Sequence, residues 1–118
     1  MKFKEFDNYV EYVVMNEIPQ ALLTHLNGGI RTSKVLQQDD EEKDYYILGE
    51  YIEDQLGSYI LLYYGSFIYF YGDKSNEIMK KEILSTIKHE LTHHIESLAG
   101  SEDLAREEDI EVATRKRK

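Results

Sequence analysis

Cysteine is absent from the 118 residues, which excludes disulfides and thiolate metal sites. Any metal centre must then use histidine and carboxylate, a donor set that suits zinc. Positive charge is scarce: 14 Lys and Arg stand against 23 Asp and Glu, for a formal net charge of -9. That balance disfavours nonspecific binding to nucleic-acid phosphates and to an anionic membrane surface. Long apolar runs are missing too. The longest, residues 59–70, is interrupted by Gly65 and Ser66 and is too short and too rich in tyrosine for a transmembrane helix. The first seven residues contain no apolar stretch of the kind a signal peptide needs. There is no G-x-S-x-G, no phosphate-cradling G-x-x-x-x-G-K-[ST] loop, no internal repeat and no low-complexity linker. The expectation is a single soluble, cytoplasmic domain over residues 1–118.

What is present suffices for one core: 42% of the residues are hydrophobic, including 10 Tyr and 4 Phe. Phe3, Phe6, Val10, Val13 and Val14 recur at helical spacing, which predicts an amphipathic helix over residues 3–16. Pro19 suits the first turn of a short helix from Gln20 to Leu26, closed by Asn27-Gly28-Gly29. A weak strand from Ile30 to Leu36 follows. The charge run Asp39-Asp40-Glu41-Glu42-Lys43-Asp44 reads as a solvated loop, because it lacks the spacing and central glycine of a calcium loop.

Tyr45 to Ile52 is expected to be a strand broken at Gly49, and Tyr59 to Tyr64 a second strand rich in β-formers. Gly65-Ser66 is a two-residue hairpin candidate with a returning strand, Phe67 to Tyr71. Three to four such strands make a small mixed, largely antiparallel sheet. Ser75, with Asn76 as competitor, caps a long helix that Gly100 stops. A further helix is expected from Ser101 to Ala113, before the basic end Arg115-Lys116-Arg117-Lys118. The fold class is therefore α+β, the sheet packing against the long helix, with helices at both ends.

The long helix contains His89-Glu90-Leu91-Thr92-His93, an H-E-x-x-H pattern. Four residues are about one helical turn, so the two imidazoles share a face and can hold one zinc ion. At about 100° per residue, Leu84, Ile87, Leu91, Ile95 and Leu98 gather on one side. Glu82, Ser85, His89, His93 and Glu96 gather on the other, which predicts both histidines in a cleft away from the buried stripe. Glu90, beside His89, is the candidate general base for a zinc-bound water. A third ligand has two candidates. Glu96 stays on the histidine face, as a ligand or as a carboxylate orienting His93. Asp103 reaches the metal if the chain turns at Gly100. His94, nearer the apolar side, is expected to pack or to support its neighbours, and His25 is an ordinary histidine.

The run from His89 to Gly100, followed by Asp103-Leu104, resembles the small bacterial metallopeptidase-like proteins with a minimal zincin fold. Ile47-Leu48-Gly49-Glu50-Tyr51 and Tyr63-Tyr64-Gly65-Ser66-Phe67 are similar to that family as well, so the likeness covers residues 45–109. The resemblance implies a mixed α+β core, zinc on His89 and His93, catalytic Glu90 and a cytoplasmic setting. Related zincins with an aspartate ligand follow the second histidine with x-x-G-x-x-D. Here Gly100 and Asp103 come four residues later, which leaves Asp103 and Glu96 both open.

The expected function is a zinc-dependent peptidase, with Zn²⁺ as cofactor and a peptide or protein as substrate, held along a sheet edge. The alternative is a non-enzymatic protein-binding module on the same fold. Neither nucleic acid nor membrane is an expected partner, and the tyrosines are read as sheet packing rather than as a base-stacking surface.

Overall fold

The computed structural model describes residues 1–100 and shows an α+β fold. In chain order come α1 (Phe3–Asn16), a 3-10 turn (Gln20–Leu23), β1 (Ile30–Ser33), β2 (Gln37–Gln38), β3 (Tyr46–Ile47), β4 (Gly49–Asp54), β5 (Gly57–Tyr63), α2 (Tyr64–Tyr71) and α3 (Asn76–Leu98). No helix among the described residues is long and apolar enough to cross a membrane. The helix expected from Ser101 to Ala113, the basic end and Asp103 lie outside the described residues.

α1 covers the residues its periodicity marks and buries Phe6, Val10 and Val13. Glu5 supports its start by accepting a 2.8 Å hydrogen bond from the Lys2 backbone N–H, where an acidic group also suits the helix dipole. The short helix expected to Leu26 is only a 3-10 turn ending at Leu23.

The main sheet has the order β1-β5-β4. β4 and β5 form an antiparallel hairpin, whereas β1 runs parallel to β5, pairing Ile30 with Ile60 and Ser33 with Tyr63. β2 and β3 form a separate two-stranded antiparallel pair. The main sheet is thus evenly mixed rather than largely antiparallel. Strand direction depends on how the chain returns between β1 and β5, which side-chain alternation does not encode. Of the acidic run, residues 40–44 are exposed, but Asp39 turns inward and accepts a hydrogen bond from the Glu41 N–H.

The expected returning strand Phe67 to Tyr71 is instead the helix α2, which starts directly after β5. Its aromatic residues favour β structure on propensity, but the buried ones, Phe67, Phe70 and Tyr71, are spaced for one helical face. Packing settles the competition. The Phe67 and Phe6 rings lie 5.3 Å apart, and Phe6 meets Tyr64 at 5.2 Å. Ser66, inside α2, accepts a hydrogen bond from the Gln37 N–H.

α3 begins where the cap predicts, with Ser75 Oγ accepting from the Ile78 N–H at 3.2 Å. It buries Met79, Ile83, Ile87 and Leu91 against Ile60, Leu62, Phe6 and Phe67. Its buried face is rotated from the one that apolar residues alone suggest. Thr86, Glu90, His93 and His94 are buried, while Ile95 and Leu98 remain 42% and 52% exposed.

Candidate metal and catalytic site

The rotation of α3 follows from its neighbour, because β4 runs alongside it. A Cβ on Gly49 would stand 3.0 Å from Thr86 Cγ2, so glycine permits the close approach. Further along, the Tyr51 hydroxyl lies 2.9 Å from His94 Nδ1, and Ser97 Oγ donates to Glu53 Oε2 at 2.6 Å. Thr86, Glu90, His93 and Ser97 succeed one another at three- and four-residue steps, so they form the line of α3 that faces β4. His89 and Glu96 fall on its outer flank. β4 hydrogen-bonds to β5 on one side and is an edge strand of its sheet on the other.

The expectation that both histidines face away from the buried side is therefore corrected. His93 is 0% exposed and Glu90 1%, whereas His89 is half-buried. The pair sits at the rim of the core, with His89 on the solvent side. The imidazoles nevertheless converge: Nε2 of His89 and Nε2 of His93 lie 2.7 Å apart, with the ring planes at 86°.

Glu96 Oε1 lies 3.4 Å from His93 Nδ1, across the ring from Nε2. With Nδ1–H donating to that carboxylate, the His93 Nε2 lone pair faces His89, whose Nε2–H donates into it. The structure thus gives Glu96 the geometry of a group that orients His93. Among the described residues, no group of three or more His, Cys, Asp or Glu side chains is placed to hold a metal ion. The two convergent imidazoles do match zinc in donor chemistry. Zinc–nitrogen bonds of about 2.0–2.1 Å at tetrahedral angles separate two donors by about 3.3 Å. The 2.7 Å pair need open only slightly to reach that spacing.

Glu96→Ala removes the group facing Nδ1 and frees the His93 ring to change tautomer. The expected outcome is a loss of about 10- to 100-fold in zinc affinity, read by competition with a chromophoric chelator. An unchanged affinity would show that Glu96 does not set the ring.

Sequence reasoning missed the polar chain on the other flank. His94 is 0% exposed, and its Nε2 lies 2.8 Å from the Thr24 carbonyl. That contact requires an Nε2–H, leaving Nδ1 to accept from the Tyr51 hydroxyl. Burial raises the Tyr51 pKa above its ordinary value, which keeps the hydroxyl protonated as a donor. His94 thereby ties α3 to β4 and to the segment after the 3-10 turn. Of these residues only His94 carried any signal, its place on the apolar flank of the helix. His25 takes no part: it is exposed, with a φ of 67°, and its carbonyl accepts from Ser58 Oγ.

No protein-family model matches the chain, and no curated protein matches it. Among solved structures it is similar to a conserved hypothetical protein from T. thermophilus, at 30% sequence identity and a TM-score of 0.75. The match covers 84% of this chain and 98% of that one.

Proposed function

The chain belongs to the same family as that conserved hypothetical protein, and from its paired imidazoles we propose that it is a zinc-dependent peptidase with a small zincin-like fold, acting in the cytoplasm. The observation that carries this reading is the convergence of His89 Nε2 and His93 Nε2 at 2.7 Å, one residue from a buried carboxylate. In the absence of metal the two Nε2 atoms share one hydrogen bond, and the same convergence presents two imidazole donors to a single ion.

His89 and His93 would hold the metal, with the third position left to Asp103 or to a ligand from outside the chain. When bound, zinc supplies a polarised water and a Lewis acid for the scissile carbonyl. Glu90 takes the proton from the attacking water on its carboxylate and passes it to the leaving amine. Its burial keeps that carboxylate out of bulk water, where fixed charges and dipoles act more strongly. Glu96 keeps the His93 ring in the tautomer whose Nε2 lone pair faces His89. The edge of β4 lies along the same side of α3, and a peptide added there as a further strand passes the histidine pair with its main chain extended. That favours an unfolded or short peptide as substrate.

The non-enzymatic alternative uses the same edge to bind a protein segment without turnover. Hydrolysis of an unstructured protein such as casein separates the two. The proposal expects turnover that stops on removal of zinc by chelation and returns with stoichiometric zinc. Zinc bound at one per chain with no turnover on a broad peptide library would favour the binding module. Failure to bind zinc at all would remove both the cofactor and the mechanism.

A further inference from the structure

The flank of α3 away from β4 borders an open groove of about 320 Å³. One wall is the segment that follows α1, with Glu17, Ile18, Pro19 and Leu22. The other wall is α3 itself, with Lys88, Leu91, Thr92 and Ile95. Ile18 and Leu91 are buried, but Leu22 and Ile95 are 37% and 42% exposed. The first wall runs along α3 in the direction of the helix, because the Thr24 carbonyl meets His94 further on. Glu17 therefore lies toward Lys88, and Leu22 toward Ile95. The groove includes none of His89, Glu90 or His93.

Its charges are one of each sign, and they stand on opposite walls. Glu17 and Lys88 are both exposed, and no ion pair joins them within the described residues. An acidic partner that suits Lys88 would meet Glu17 as well, and a basic partner would meet the reverse conflict. A second copy of the chain has no such conflict. A two-fold axis along the groove sets each wall against the opposite wall of the other copy, so the Glu17–Lys88 pairing forms twice. The chain as a whole carries a net charge of -9, which opposes association of copies through its acidic faces. At this groove the local charge is balanced, and the exposed Leu22 and Ile95 leave water on contact.

We propose that this groove is the contact face of a symmetric dimer of the chain. Ile95 of each copy packs against Leu22 of the other, and Lys88 of each stands beside the other's Glu17. The histidine pairs lie outside the contact, on the β4 flank of each copy. The inference does not rest on bound metal or on turnover.

Sedimentation velocity of the full chain over a wide range of concentrations tests it. The wild type should pass from monomer to dimer as the concentration rises. Ile95→Asp occurs twice in each dimer and puts charge among apolar groups, so it should raise the dimer dissociation constant about 100-fold. Lys88→Glu and Glu17→Lys should each raise it about tenfold, because each sets like charges together. The double variant Glu17→Lys/Lys88→Glu should return to within about threefold of the wild type, because the pairing is kept with its signs exchanged. Leu56→Asp, at the 88% exposed hairpin tip, should leave the constant unchanged.

A wild type that stays monomeric at every concentration would overturn the proposal and leave the groove to another segment of the chain or to a different protein. A dimer that Ile95→Asp does not weaken would overturn it too, by moving the contact elsewhere. So would a double charge variant no tighter than the two single ones. If Ile95→Asp disturbs the fold, seen as a lowered thermal midpoint, the milder Ile95→Ser takes its place, with the same expected direction and the same overturning result.

Discussion

Glu90→Gln is expected to lower peptide turnover by roughly 10²- to 10⁴-fold, the usual worth of a positioned general base. Glutamine keeps the shape of the side chain, which is 1% exposed and faces β4, so the slot stays filled. What it loses is the ability to take a proton at neutral pH. Neither imidazole is altered, so zinc content should stay at the wild-type level. The measurement is initial rate on an unstructured substrate beside metal analysis of the same sample, with thermal unfolding to show that the fold has held. A variant retaining half of the wild-type rate would remove Glu90 from the mechanism. A variant that loses its zinc would make Glu90 a structural group of the metal site instead.

Zinc itself is expected to stabilise the fold strongly. A ligand that binds only the folded state contributes about 2.7 kcal/mol at a free concentration of 100 Kd. For a domain near this size, each kcal/mol moves the midpoint by about 4–8 °C, so zinc should raise Tm by about 10–20 °C. His89→Ala should abolish that shift while changing the zinc-free midpoint little, because His89 is half-buried at the rim. His93→Ala should abolish it too, but at a lower zinc-free midpoint. His93 is 0% exposed, and truncation there leaves a cavity as well as an unmet polar neighbour. Calorimetric scans with and without chelator read both effects. If His89→Ala kept the full zinc-dependent rise, the paired imidazoles would not be the ligands.

The two histidine variants differ in cost for a reason the helix pattern could not supply. Spacing of three and four residues shows that His89 and His93 share a face of α3. It does not show which edge of that face other elements cover. β4 covers the edge carrying Thr86, Glu90, His93 and Ser97 because Gly49 lets the strand approach Thr86 closely. Ile95 and Leu98 are apolar, but they stay 42% and 52% exposed. Hydrophobic periodicity thus located α3 correctly and misplaced its buried face. The error for α2 was of another kind: tyrosine and phenylalanine favour strands, and their helical spacing over Phe67, Phe70 and Tyr71 was outweighed until the packing against Phe6 was visible.

By itself the sequence determined the absence of thiolate chemistry, the extent of α1, the Ser75 cap and the placing of two imidazoles one turn apart. Each follows from covalent identity or from contacts within a few residues, where helical geometry leaves little choice. Only the tertiary structure decided that β1 runs parallel to β5, that the Nε2 atoms converge, that Glu96 faces Nδ1, and that Glu90 and His93 lie buried along β4. Those features join segments far apart in the chain, and burial at each is fixed by which surface arrives against it.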